Sequence, residues 1–412
     1  MDSILSFILA ISLISLLTIK VKLQPFLSLV ISALIYGLLT GRGSELIGDL
    51  TTGMSRIFAA LAIIVFSGSI IAEYLRETNA VNRLISDLLK LTGKNRSLLA
   101  SGLLGYLVAL PAMCCITSYL ILEPMARGLG ERIEGTRYRF QLMVAISSII
   151  SFNLIYPSPV MIALTQTLNV NPLDTLKMGV PLSILLLATM YLYVSHLPKG
   201  ERDMMETTAE DLPSRKSAWT PLIAPIALIL LGLVFDAAWL MGNPNVALLI
   251  GALISILLAR ERAQVMIKRA SKRAGVIIFD LCGAGAFGYL IAQSGFGSEL
   301  QADIIHWIPL AIVPFLVAAS LQLAQGSRVV TVVITSQIMM DYPLNGTTMV
   351  FMICAGAFAL SYVSDPYFWL VKETSRSDLK NSIKGYTVPL SLCGLIVFTV
   401  TLLHELFCVC SV

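Results

Sequence analysis

Apolar runs long enough to form membrane-spanning helices recur along nearly the whole chain, at 4–19, 25–40, 57–75, 140–164, 176–194, 221–240, 245–259, 274–291, 347–371 and 386–404. A span takes about 17 to 25 residues, some of them fewer, so the pattern predicts about ten crossings. Two further stretches, 97–125 and 307–340, are long but interrupted, the first at Leu110-Pro111 and the second at Gly326-Ser327. Each half is too short to cross comfortably. Each stretch is therefore expected to be a re-entrant hairpin with its tip buried in protein, as non-helical backbone inside a membrane must be.

Basic residues orient these elements, because short loops rich in Lys and Arg stay on the cytoplasmic side. Both flanks of 97–125 are basic (Arg83, Lys90, Lys94 and Arg96 before it; Arg127, Arg132, Arg137 and Arg139 after), whereas 293–306 and 341–346, which flank the second hairpin, hold no Lys or Arg. One hairpin then enters from the cytoplasm and the other from outside. Lys20/Lys22 and the clusters at 199–216, 260–273 and 372–384 become cytoplasmic, and both termini external. Residues 44–56, 80–91 and 261–273 mix charged and apolar positions at helical spacing and are expected to lie along the membrane surface.

The halves of the chain resemble each other. Val180-Pro181-Leu182-Ser183 recurs as Val388-Pro389-Leu390-Ser391, Gly68 and Tyr74 align with Gly283 and Tyr289, and Ser151/Pro159 align with Ser361/Pro366, at an offset near 210 (388 against 180, 361 against 151). With five crossings and one hairpin apiece, the halves are inverted relative to each other, an architecture that places a transport site near the midplane between broken helices. The domain reading is a first repeat at 1–197, a polar Pro-bounded linker at 198–217 and a second repeat at 218–412.

Composition agrees. The 412 residues are 56% hydrophobic and 13% charged, with mean hydropathy +0.82, which excludes a soluble domain. A net charge of +4 implies no nucleic-acid partner. The first run follows Asp2 and lacks a small-residue cleavage site, so it is expected to stay as a span. Seven cysteines without a CxxC pair, and His196, His306 and His404 near separate membrane boundaries, offer no metal site.

Polar residues inside the apolar runs mark the candidate site. Gln325-Gly326-Ser327-Arg328 interrupts the second hairpin, and an Arg at the bilayer centre costs about 2.5 to 3.5 kcal/mol, so Arg328 should face a partner, a cavity or a ligand. Thr117 and Ser118 follow the break in the first hairpin. In the breaks of the longer helices, Asn153, Tyr156 and Ser158 stand among prolines, and Ser361, Ser364 and Asp365 precede Pro366. Asp365 is read as carrying a proton, holding sodium or pairing with Arg328. Gln325 to Arg328, Asn153, Tyr156, Ser158, Thr117 and Ser118 are assigned to substrate, and Asp365, Ser361 and Ser364 to the coupling ion. Glu73 and Glu123, near run ends, are read as solvated, and Asp280 precedes a Gly/Ala stripe, 282–288, read as a helix-packing surface.

These residues carry a resemblance. Ser294-Gly295 after the glycine-rich 283–288, Ala324 with Gly326-Ser327, and Asp365 with Phe368-Trp369-Leu370, Lys372 and Glu373 look like the motifs of the gluconate permease (GntP-type) family, proton-coupled symporters of sugar acids and related carboxylates within the ion-transporter superfamily. The resemblance implies the inverted-repeat fold with two hairpins, an elevator-like carrier, an anionic substrate and a place in the plasma (inner) membrane, with a homodimer as one possible assembly. Three positions depart from the family pattern. Cys114-Cys115-Ile116-Thr117-Ser118 replaces an acidic, glycine-containing tip, Pro157-Ser158-Pro159 replaces a histidine-containing break, and Arg328 replaces a small residue. A divergent member carrying another carboxylate or an amino acid is the preferred reading. A guanidinium suits that chemistry, since it holds a carboxylate by parallel hydrogen bonds.

The expected function is thus secondary transport of a small organic anion with H+ or Na+ and no other cofactor. An inorganic cation/proton exchanger is the alternative. An intramembrane enzyme is disfavoured, because Ser327 has neither a GxSxG setting nor a positioned His.

Overall fold

The computed structural model describes residues 3–93, 96–134, 137–198, 212–235, 239–304, 308–362 and 364–410, and among them there is no strand. The chain opens with α1 (Ser3–Ser15), whose last turns widen into a π-helical segment (Leu16–Lys20), and α2 (Pro25–Leu39). There follow α3 (Leu46–Glu77), α4 (Ala80–Thr92), a broken pair α5 (Ser97–Ala112) and α6 (Cys115–Glu134), a second broken pair α7 (Tyr138–Leu154) and α8 (Pro159–Thr167), and α9 (Pro172–His196). After α10 (Arg215–Val234), α11 (Trp239–Gly242) and α12 (Pro244–Leu258), the same order of long, short, broken, broken and long helices returns. These are α13 (Ala263–Gln293), α14 (Phe296–Ile304), α15 (Val313–Gln325) with α16 (Arg328–Ile338), and α17 (Gly346–Phe358) with α18 (Pro366–Thr374). The short α19 (Leu379–Ser382) and a π-helical turn (Ile383–Thr387) lead into the last long helix, α20 (Val388–Cys410).

Seven helical segments among the described residues are long and apolar enough to cross a membrane. They coincide with seven of the ten runs read as spans. The other three fold as shorter helices, since α2 and α12 have 15 residues each and 347–371 divides into α17 and α18. At 1.5 Å per residue, 15 residues reach about 22 Å, short of a hydrocarbon core of about 30 Å. Burial separates centre from periphery: 94% of the best window in 138–167 is buried, against 28% in 215–234.

Several helix starts follow one local rule. Ser158, Asn171, Asn243 and Asp365 each precede a proline, and each side chain accepts a hydrogen bond from an amide in the first turn of the helix that begins there. The proline has no amide to leave unpaired at N1, and the cap satisfies one of the others.

The two longest helices, α3 and α13, form the axis of the molecule and run antiparallel, with Gly53 against Gly285 near one end and Glu73 and Glu77 against Arg273 and Arg269 near the other. A Cβ on either glycine would strike the opposite backbone, so the 282–288 stripe is a packing surface here. Arg56 lies 4.6 Å from the centre of the Tyr289 ring. Glu73 is not solvated: its side chain is 1% exposed and ion-paired to Arg76 at 3.1 Å and Arg273 at 3.0 Å. The reason is helix length. Nothing stops α3 at Leu75 or begins α13 only at Ala274, so residues 46–56 and 263–273 extend the long helices instead of forming separate surface segments, and their charges are packed between them. Glu123 is half-buried and accepts a hydrogen bond from Gln141 at 2.6 Å. The surface helix read at 80–91 does stand alone, as α4. Of the linker, 199–211 lies outside the described residues, and the chain is helical from Arg215.

Gly53→Leu should destabilise the protein by about 1–3 kcal/mol through overpacking, seen as a lower melting temperature in detergent. Gly48→Leu, at a glycine with nothing within 4 Å of its missing Cβ, should leave it unchanged. Equal melting temperatures would place the helix crossing elsewhere.

Candidate functional site

The second hairpin turns where the sequence interrupts it. Gly326 ends α15 with φ +76, and a Cβ there would run into the Ser364 carbonyl, so both its backbone angle and its neighbour require glycine. The freed backbone groups are satisfied from within the hairpin. Gln322 Nε2 donates to Gly326 O at 2.9 Å, Gln325 Nε2 donates to Ser327 O at 2.6 Å, and the Ser327 amide donates to Gln325 Oε1 at 3.2 Å. Thr331 joins these glutamines, donating to Gln322 Oε1 at 2.9 Å and accepting from Gln325 Nε2 at 2.7 Å. A turn deep in the protein can thereby hold its shape without water.

Arg328 starts α16 and is 4% exposed. All three of its hydrogen bonds among the described residues leave from Nη2: to Ser361 Oγ at 2.8 Å, Asp365 Oδ2 at 3.1 Å and Tyr386 Oη at 3.3 Å. Nε is buried without a partner. Asp365 is fully occupied, since its Oδ2 also accepts from Tyr386 Oη at 2.9 Å and its Oδ1 accepts the Tyr367 amide at 2.9 Å. Ser364 donates to Leu323 O at 2.7 Å, and Thr387 to Ser361 O at 2.7 Å. The hairpin tip, the break between α17 and α18, and the turn before α20 are thus one network.

The first hairpin turns at Met113, in the left-handed region (φ +53), with α6 resuming at Cys115. The bend expected at Leu110-Pro111 comes later because Pro111 is accommodated in the last turn of α5. Gly68 of α3 makes room for it, as a Cβ there would meet Met113 and Pro111 O. In the break between α7 and α8, Asn153 Nδ2 donates to Cys354 O at 3.0 Å, and Cys354 Sγ donates to Asn153 O at 3.2 Å. This exchange ties the two broken helices together.

Both hairpin tips and both breaks border one cavity of about 780 Å³. From the second half come Gln325 to Val330, Ser364, Asp365, Pro366 and Trp369; from the first, Met113 to Ile116, Phe152 and Pro159. The rest is supplied by Ile277, Asp280 and Leu281 of α13 and by Thr18, Ile19, Lys22 and Pro25 of the α1–α2 connection. Of the residues assigned to substrate, Gln325, Gly326, Ser327 and Arg328 lie on this wall. Asn153, Tyr156, Ser158, Thr117 and Ser118 do not: Ser158 caps α8, Asn153 bonds to α17, and Thr117 and Ser118 are buried in α6. Of those assigned to the ion, Ser364 and Asp365 line the cavity and Ser361 stands behind Arg328.

Sequence reasoning missed Gln322, Tyr386, Lys22 and the exposure of Asp280 to the cavity. Gln322 lay one turn before the polar tip and was legible. Tyr386 and Lys22 had no local signal, since only packing brings the start of α20 and the α1–α2 connection to the tip.

Long apolar helices, with four broken helix pairs around a shared cavity that holds buried charges, mark a multi-pass membrane transporter. Residues 3–407 match the family described as GntP family permease, and the chain belongs to it. It is 25% identical over 423 residues to the high-affinity gluconate transporter of Escherichia coli K12, covering 93% of this chain and 95% of that protein. It is 23% identical over 439 residues to the D-serine transporter DsdX of Escherichia coli O6:H1, covering 96% of each. In fold it resembles the YdaH transporter of Alcanivorax borkumensis, with TM-score 0.60 at 15% identity over 90% of this chain and 88% of that one.

Cys114 lines the cavity and is half-buried, while Cys115, Cys282, Cys354 and Cys393 are buried. A small maleimide should label Cys114 roughly tenfold faster than those four, because thiol reactivity needs access. Peptide mass spectrometry reads this, and even labelling would show that the cavity is closed to solvent.

Proposed function

We propose that the protein is a secondary transporter of a small organic anion, a sugar acid or related carboxylate, that moves with H+ or Na+. The observation that carries this reading is the division of labour within Arg328. Its hydrogen-bond partners among the described residues all bind Nη2, leaving Nη1 and Nε without one, and Arg328 lines the cavity. A guanidinium offers five donors in a planar fork, so one side chain can hold a fixed carboxylate, Asp365, and accept a travelling one at the same time. Relatives named for gluconate and for D-serine support a carboxylate as the shared handle. Gly326 and Ser327 form the cavity wall beside it, and Ser361, Ser364 and Asp365 hold the tip and Arg328 in register.

The carrier is read as two inverted repeats, 1–197 and 218–412, joined by 198–217, with 97–125 and 307–340 as re-entrant hairpins. The recurrence of helix order and the antiparallel pairing of α3 with α13 support that reading. Alternating access then has a hairpin-bearing body move, elevator-like, against a scaffold in the plasma membrane, with both termini external.

The test is thermal stabilisation of purified protein by a panel of sugar acids, small carboxylates and amino acids, each with and without sodium and at two pH values. Binding to the folded state alone raises the melting temperature. One carboxylate should stabilise the wild type, and Arg328→Lys should weaken that binding roughly tenfold, about 1.4 kcal/mol, because an ammonium has no second edge to offer. Silence from every organic compound beside a clear sodium or pH response would favour the inorganic exchanger.

A further inference from the structure

Four charged residues line the cavity: Lys22, Asp280, Arg328 and Asp365. Asp365 is committed, with both oxygens engaged by Arg328, Tyr386 and the Tyr367 amide. Asp280 is different. Its Oδ1 accepts one hydrogen bond, from the Phe26 amide at 3.2 Å in the first turn of α2, and it makes no ion pair among the described residues. Its Oδ2 has no partner there, so it is the cavity carboxylate free to gain and lose a proton.

Building on the carrier reading, we infer that Asp280 is the residue that carries the coupling proton. The argument is like-charge repulsion in a site of low dielectric. Arg328 and Asp365 cancel as a buried pair, and Lys22 is exposed, so its charge is screened by solvent. Ionised Asp280 is then the unbalanced charge of the cavity, and it repels an incoming anion. Protonation removes that repulsion, so the anion binds best to the protonated site and the proton best to the loaded one. Anion and proton move together because each favours the binding of the other. The carboxylate takes H+ from the medium on loading and returns it to water on unloading.

The groups around Asp280 fit this role. Lys22 comes from the α1–α2 connection, Arg328 from α16, Asp365 from the α17–α18 break, and the thiols Cys114 and Cys115 from the first hairpin. Cys282 follows on α13 itself, and α3, packed along α13, has no titratable residue between Arg56 and Glu73. One carboxylate oxygen with no other free acidic ligand beside it also makes a poor sodium cage, since hard cations take several oxygens.

The test uses the full-length protein in sealed vesicles with radiolabelled gluconate and L-idonate, both monoanions, as probes. Wild-type protein should accumulate one of them down an inward proton gradient without sodium. Asp280→Asn mimics the protonated residue permanently, so it should still exchange labelled for unlabelled probe across the membrane. It should lose gradient-driven accumulation to the level of protein-free vesicles, and its binding should no longer change between acidic and alkaline buffer. Asp280→Glu, which keeps a titratable group, should retain accumulation. Asp280→Asn accumulating like wild type, loss of exchange along with accumulation in well-folded Asp280→Asn, or wild-type accumulation that follows sodium instead of pH would each overturn the assignment while leaving the carrier reading in place. Should wild-type protein move neither probe, the carrier reading for these acids fails and the inference with it.

Discussion

A guanidinium and a carboxylate buried within an apolar helix bundle constrain everything around them. Arg328 and Asp365 are both nearly inaccessible, and neither tolerates burial alone, since removing one partner of such a pair costs about 3–5 kcal/mol. Their contact at 3.1 Å holds the tip of one broken helix pair against the break in another. Tyr386 and Ser361 close the ring by bonding to both charges or to one of them. The pair therefore acts as a clasp between α16, α18 and the start of α20, and the cavity takes its shape from the walls the clasp holds.

Breaking helices inside a membrane leaves amides and carbonyls without partners, and this chain resolves the problem in two ways. At the hairpin tip, Gln322 and Gln325 reach back to backbone groups that no helix serves. At the breaks, Ser158 and Asp365 cap the helices that restart after a proline. Small residues then let these irregular segments approach one another, Gly326 under Ser364 and Gly68 beside Met113. The polar residues of the bundle thus fall into two groups. Some stabilise an unusual backbone, and a few, with Arg328 foremost, line the cavity while keeping a donor without a partner among the described residues.

That separation bears on how the family fold accommodates different solutes. An acid, a titratable ring and a small residue expected from the family motifs are absent from this chain, and a fixed cation stands at the hairpin tip. The proposed compensation is local. A carboxylate already present to hold Arg328 leaves the guanidinium half free, and a second carboxylate on α13 sits across the same cavity.

Much of the architecture was legible because membrane physics writes itself into sequence. Apolar runs must be helices, interruptions such as Gly326-Ser327 must be turns, and an Arg among them must have a partner. The 282–288 stripe was readable as a packing surface for the same reason, since side-chain size is a local property. Three features depended on tertiary structure. The lengths of α3 and α13 were decided by packing, because the antiparallel pairing buries Glu73 with Arg273 where the sequence alone suggested a solvated boundary. Asn153, Tyr156 and Ser158 had the chemistry of ligands, but a cap takes the Ser158 hydroxyl and an interhelical bond, invisible without the partner helix, takes the Asn153 amide nitrogen. Lys22 and Asp280 meet at one cavity across more than half of the chain, a proximity that no local pattern encodes. The sequence determined which segments are apolar enough to enter a membrane and, to within a turn, where they break, because those depend on each residue's own transfer energy and backbone freedom. Which polar groups face the cavity was decided only by folding, because that depends on which neighbours have already taken their hydrogen bonds.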